Sequence, residues 1–191
     1  MFKNKVLVAM LAISGLLLSA TASAQVYVGG TVGKAKWNDD CQDTVQCNTS
    51  TNAYKILSGY NIDKNFAVEA SYFSLGALKV SGVDMGVNFN GSAKGTGLEL
   101  AGLYKLAFSD DFGGFAKVGL ARTKADARIS SPGLFSASDS TTSTQPVFGV
   151  GLTYKISKEL ALRGEFENHR MKIADEKEMV NSFSIGVQYT F

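Results

Sequence analysis

The chain predicts an all-β fold, an eight-stranded antiparallel transmembrane β-barrel arranged as an up-and-down meander of the outer-membrane type. Three observations predict it. The final segment, 183–191, alternates strictly: Phe183, Ile185, Val187, Tyr189 and Phe191 are large and apolar, while Ser184, Gly186, Gln188 and Thr190 are small or polar. A period of two gives a strand with one apolar face and one polar face. The same alternation recurs in seven earlier segments, joined by connections that are in turn short and long, as in membrane barrels. The third observation is an export leader at the N-terminus.

In that leader, Lys3 and Lys5 precede an apolar run over 6–20, followed by Ala22-Ser23-Ala24. A charged start, a short apolar stretch and an Ala-x-Ala site predict a signal peptide, 1–24, cut after Ala24. The apolar run is short for a spanning helix, which needs about 20 residues. The remaining chain, 25–191, has 167 residues, enough for one domain, and no second long apolar run. Removing the two leader lysines from 19 basic residues leaves 17, against 17 acidic ones, so the exported chain is formally neutral. No basic face predicts a nucleic-acid partner. Cys41 and Cys47 lie in a polar segment and, after export, are expected to close a disulfide worth about 2 kcal/mol. No second Cys or His cluster accompanies them, so neither a metal site nor a cofactor is expected.

The strands follow in order. In 26–36, Val28, Gly30 and Val32 face out and Tyr27, Gly29, Thr31 and Gly33 face in. In 53–61, Tyr54, Ile56, Ser58 and Tyr60 oppose Lys55, Leu57, Gly59 and Asn61. After a turn at Asp63-Lys64-Asn65, segment 66–75 sets Phe66, Val68, Ala70 and Tyr72 against Ala67, Glu69, Ser71 and Phe73. Segment 96–106 sets Leu98, Leu100 and Tyr104 against Glu99, Ala101, Leu103 and Lys105. A turn at Ser109-Asp110-Asp111 leads to 114–122, where Ala116, Val118 and Leu120 oppose Phe115, Lys117 and Gly119. Segment 146–155 opposes Phe148, Val150, Leu152 and Tyr154 to Val147, Gly149, Gly151 and Thr153. After Ser157-Lys158, segment 160–168 opposes Leu160, Leu162 and Phe166 to Arg163, Glu165 and Glu167.

The connections 37–52, 76–94, 123–145 and 169–180 are long and polar, and are expected to be surface loops, the third of them mobile and solvated over 136–144. An even strand number puts both termini at the short-turn end. Tyr60, Phe66, Tyr104, Tyr154, Tyr189 and Phe191 are expected to form an aromatic girdle there, and Trp37, Tyr54, Tyr72 and Phe166 the opposite one. A soluble lipocalin-like barrel would invert the two faces. It would bury Glu69, Glu99, Lys117, Arg163, Glu165 and Glu167 in a dry core, which is costly. In a membrane barrel those charges line the interior and pair.

The stretches Tyr27-Val28-Gly29-Gly30, Gly59-Tyr60, Phe66-Ala67-Val68-Glu69, 160–166 and 186–191 resemble the small outer-membrane β-barrel family, namely the membrane domain of OmpA and the shorter OmpX/Ail-type barrels. The resemblance spans the exported chain. It implies a lumenal ion pair between Glu69 and Arg163, with Lys117 and Glu165 as further partners. A second lumenal Lys–Glu pair of the family falls at Ala101 and Thr153, so this sequence lacks it, and a switch built on pair exchange does not carry over from the resemblance. Gly186, Tyr189 and Phe191 resemble the C-terminal signal read by the barrel-assembly machinery. The chain stops at Phe191, before the peptidoglycan-binding domain that follows the OmpA barrel.

The expected function is a structural or surface-interaction role, in adhesion or in stabilising the envelope, for a non-enzymatic, monomeric barrel in the bacterial outer membrane, exported through the periplasm. Its partners are outer-membrane lipid and lipopolysaccharide, the assembly machinery and periplasmic chaperones, and a host or cell-surface ligand met by the four loops. The alternative is a narrow pore, although eight strands leave an interior that side chains nearly fill. An outer-leaflet lipid-modifying enzyme needs a nucleophile beside a base. A deacylase of the His-x-Ser type would need Ser at Met171, beside the lone His169, which is expected to be a solvated loop residue.

Overall fold

A strand that crosses hydrocarbon must find partners for every backbone N–H and C=O within the protein, and a sheet closed on itself does so. The computed structural model of the protein describes residues 25–37, 45–84, 87–131, 135–173 and 176–191. The leader 1–24 and Cys41 lie outside these residues, and with them the cleavage after Ala24 and the Cys41–Cys47 pairing. The strands are β1 (Val26–Trp37), β2 (Val45–Asn48), β3 (Ser50–Asn61), β4 (Phe66–Asp84), β5 (Val87–Ala107), β6 (Phe112–Ser131), β7 (Phe135–Lys155), β8 (Leu160–Ile173) and β9 (Glu176–Thr190). All pairings are antiparallel, and no helix occurs among the described residues.

Eight of these strands form a ring in the order β1, β3, β4, β5, β6, β7, β8, β9. The ring closes where β9 pairs with β1, from Tyr27↔Thr190 to Trp37↔Val180. The short β2 lies outside the ring and adds to β4, with Val45 opposite Gly82. The alternation read from the sequence holds around the ring. Leu98 and Leu100 are 64% and 65% exposed, while Glu99 between them is 4% exposed. Moving a leucine-sized side chain from water to hydrocarbon is worth about 1.5–3 kcal/mol, so a belt of such residues commits the outer face to lipid.

The three short turns share one construction. Ile62, Phe108 and Ile156 each donate their backbone N–H to the carbonyl four residues on, at 2.9, 2.9 and 2.8 Å. The next residue in each turn supplies a side-chain acceptor for the chain's return. Asp63 Oδ1 accepts from the N–H of Phe66 at 2.8 Å. Ser109 Oγ accepts from Phe112 at 3.1 Å and Ser157 Oγ from Leu160 at 3.1 Å. Asp and Ser do this well because their short side chains reach their own backbone two or three residues on.

Two sequence expectations fail. Among the described residues, the polar segments at the other end are mostly strand and not loop. β4 pairs with β5 as far as Asp84↔Val87, and β6 with β7 as far as Ser131↔Phe135. The Ser/Thr-rich stretch 136–144 is therefore paired strand. Polarity marks a strand that both faces of which meet water as readily as it marks a loop. Trp37 is not in an outer girdle. It is 2% exposed and points inward, because it falls at an odd position of β1, in phase with Tyr27, Thr31 and Ala35. Tyr54, Tyr72 and Phe166 do face outward.

A bulge in β4 between Ser74 and Ala77 breaks the alternation. Before it, odd-numbered residues face in; after it, Leu78 does. Gly76 absorbs the extra residue at φ 73°, and a Cβ there would lie 2.6 Å from the Asn52 carbonyl oxygen and 2.8 Å from Thr51. The Thr51 hydroxyl fixes the bulge by donating to the Leu75 carbonyl at 2.5 Å, and it accepts from Trp37 Nε1 at 3.2 Å. Replacing Gly76 by Ala is expected to cost about 1–3 kcal/mol, the usual strain of a left-handed non-glycine residue. A urea-unfolding midpoint equal to wild type in detergent would show that the bulge carries no such strain.

Candidate functional site

The barrel interior is built in three layers. At the short-turn end an apolar layer comprises Tyr27, Leu57, Ala67, Ala101, Leu103 and Phe115. At the other end Trp37, Phe73, Leu75, Leu78, Val147 and Val180 form a second apolar layer with neighbouring alanines. Between them lie Lys55 (β3), Glu69 (β4), Glu99 (β5), Lys117 (β6) and, from β8, Arg163, Glu165, Glu167 and His169, each no more than 4% exposed. Alternate residues on β8 face one way, so one strand supplies four members of the middle layer.

Arg163 anchors the layer. Its Nη1 lies 2.7 Å from Glu69 Oε2, and its Nη2 3.1 Å from Glu69 Oε1, a bidentate arrangement. It also pairs with Glu165, donates to Gln188 Oε1 at 3.1 Å, and sits 4.5 Å above the Phe115 ring. Tyr27 donates its hydroxyl to Glu69 Oε2 at 3.0 Å. Its ring lies across Gly59, where a Cβ would come within 2.1 Å of it, so the glycine is required for the tyrosine to reach Glu69. Lys117 is shared among carboxylates: it pairs with Glu167, lies 3.0 Å from Glu99 Oε1 and 3.4 Å from Glu69 Oε1, and is 4.0 Å from Glu165. Lys55 pairs with Glu165 and, at 2.6 Å, with Glu167.

Glu69, Lys117, Arg163 and Glu165 thus meet in the middle layer. Ala101 and Thr153 carry no charge, and Ala101 instead belongs to the apolar layer. The sequence assigned Lys55, Glu99 and Glu167 to the inner face without naming them as partners. Alternation fixes a face but not which side chains meet across the lumen. His169 is a correction. It is not a solvated loop residue but is 1% exposed inside the barrel, with its ring centroid 4.7 Å from that of Phe73 and Nε2 3.4 Å from Glu167 Oε2. The signal was available: 163, 165, 167 and 169 continue one face, and β8 runs on to Ile173.

Two features lie at the barrel ends. At the short-turn end an open vestibule of about 470 Å³ is lined by Tyr27, Lys105, Phe115, Arg163, Gln188 and Thr190. At the other end β2, β4, β5, β6 and β7 continue as one sheet. From Leu120 to Ser131, β6 runs roughly 36 Å at about 3.3 Å per residue. The outer face of this sheet, immediately beyond Leu98 and Leu120, carries Lys79, Lys94, Arg122, Lys124 and Arg128. Register makes them neighbours: Lys94 lies opposite Asp126, and Arg122 opposite Leu98. Asp126 is the acidic residue in this row. Its carboxyl is held below the usual range, first by the Lys124 hydrogen bond, and the pair is 2.7 Å apart. Above Val147, β7 has no β8 partner among the described residues, which leaves its edge open.

Replacing Arg163 by Ala strands Glu69 and Glu165 without their shared cation. Breaking a buried pair from one side costs about 3–5 kcal/mol. The variant is expected to unfold at distinctly lower urea concentration, and an unchanged midpoint would mean the network contributes no stability.

Comparison with known proteins accords with this architecture. The model of the OmpA-like transmembrane domain matches residues 21–191. Outer membrane protein A of Shigella flexneri is 27% identical over 145 residues, covering 74% of this chain. The chain spans about two fifths of the length of that relative, the aligned part being 40% of it. Among solved structures, OprG of Pseudomonas aeruginosa superposes with a TM-score of 0.57 at 12% identity, covering 88% of this chain and 96% of that one. Ail of Yersinia pestis, solved with the heparin analogue sucrose octasulfate, gives 0.54 at 16% identity, with 87% and 97% covered. At such identities these two likenesses are of fold. With the family match running to the final residue, the chain belongs to the OmpA-like transmembrane domain family and is a multi-pass β-barrel protein of the bacterial outer membrane.

Proposed function

We infer that this protein is a membrane anchor for a surface-interaction sheet, and that the sheet binds anionic groups, sulfate or phosphate, on glycans or lipopolysaccharide. The observation that carries this reading is the outward row Lys79, Lys94, Arg122, Lys124 and Arg128 next to the apolar belt, with Asp126 as the acid among them. Taken as the extracellular end, that level meets the charged part of the outer leaflet. A row of exposed cations with one acid attracts anions from a distance and loses that attraction as salt screens it. The heparin analogue on Ail fits the same chemistry.

A channel is the other reading. The apolar layers on either side of the ionic one support a closed interior instead. The reading is also non-enzymatic: the one histidine faces Glu167 and Phe73 inside the barrel, away from any lipid headgroup. For assembly, Phe191 is proposed to act with Gly186 and Tyr189 as the recognition signal. Its ring stands edge-on to Tyr189 at 5.1 Å and is 56% exposed, free of the barrel interior.

Neutralising the row as Lys94→Gln, Arg122→Gln and Lys124→Gln together is expected to move elution from immobilised heparin to clearly lower salt. The same variant should also weaken binding to lipopolysaccharide-containing vesicles if phosphate is the natural target, and leave it unchanged if sulfated glycan is. Unaltered behaviour in both assays would end the surface reading. Purified protein in planar bilayers is expected to give no conductance steps, and regular steps would favour the channel. Phe191→Ala is expected to lower the yield of barrel assembled in cells more than it lowers the urea midpoint of barrel already folded. Equal yields would remove the assembly role.

A further inference from the structure

We propose that Glu99, Glu167 and His169 form a buried site for a divalent transition-metal ion of the zinc class. One oxygen of each carboxylate and one ring nitrogen of His169 lie within 4.8 Å of one another, and all three residues are between 1% and 4% exposed. Ligands of a tetrahedral zinc ion at about 2.1 Å stand roughly 3.4 Å apart, so side-chain shifts of about 1 Å complete the set. An imidazole with two carboxylates suits zinc, nickel or iron better than magnesium or calcium, which favour oxygen alone.

The second observation is unmet bonding capacity. His169 Nδ1 and Glu99 Oε2 are buried and have neither a hydrogen bond nor an ion pair among the described residues. A buried polar atom left so is costly, and a cation bound by Glu99 satisfies its open oxygen. A small cavity of about 10 Å³ lies against Glu167 and His169, which is the room one water molecule needs.

Charge points the same way. Lys55, Lys117 and Arg163 oppose Glu69, Glu99, Glu165 and Glu167, so the lysines and arginine are outnumbered by carboxylates in the middle layer. Lys117 is the competitor, since it pairs with both Glu99 and Glu167. It keeps Glu69, at 3.4 Å, as an alternative partner when the ion binds.

The test is to refold the full exported chain in detergent with and without zinc chloride, remove free metal, and count bound zinc. His169 is the only histidine in the chain, so its ring resonances report this site alone. Wild type is expected to hold one zinc per chain, to shift the His169 ring signals, and to do so equally when Cys41 and Cys47 are both changed to Ser. Glu99→Gln and His169→Gln are each expected to bind zinc at least tenfold more weakly. Absence of stoichiometric zinc in wild type overturns the proposal. So does zinc that binds while the His169 signals stay still, which would locate it elsewhere. If either variant fails to fold, the His169 signals of wild type decide the matter alone.

Discussion

The pairing of β9 with β1 is the contact on which the rest of this structure depends. It joins the first and last strands over the whole span from Tyr27↔Thr190 to Trp37↔Val180. Without it the sheet has two open edges in hydrocarbon, where an unpaired peptide group costs several kcal/mol. With it, outside and inside become separate solvents. The outer face can be Leu, Val and Phe, because it never meets water. The inner face can be ionic, because it never meets lipid.

The interior then follows from the size of the ring. Eight strands leave a lumen that side chains fill, so charges directed inward must meet one another and not water. Arg163 reaches both Glu69 and Glu165, and Lys117 serves several carboxylates at once. Sharing of this kind is how few cations satisfy many acids in a dry space. The apolar layers on either side keep it dry and raise the strength of each ion pair. They also leave Glu99 and His169 incompletely satisfied, a local conflict of the sort that functional sites carry.

Beyond the membrane the constraint is released, and the sheet changes character. The bulge at Gly76 redirects β4, β2 joins it, and above Val147 β7 has no β8 neighbour among the described residues. The outer face of these extensions meets water, so it can carry lysine and arginine where the same face lower down carries leucine. The contrast between Leu98 and Lys94, two strand steps apart on one face of β5, marks the level at which the medium changes.

The barrel was legible in the sequence because each strand must declare its two faces residue by residue, and a period of two survives any partner choice. The same rule contained the inward ionic set and the three tight turns with their Asp or Ser acceptors. It did not contain the strand extensions, because an outer face that is itself polar removes the apolar–polar alternation that identifies a strand. It did not decide which charges meet, since Lys55, Glu99, Lys117 and β8 are brought together only by closing the ring. For Trp37 and His169 the face was encoded but the strand's length was not, and only the pairing of neighbours carries β1 and β8 far enough to bury them.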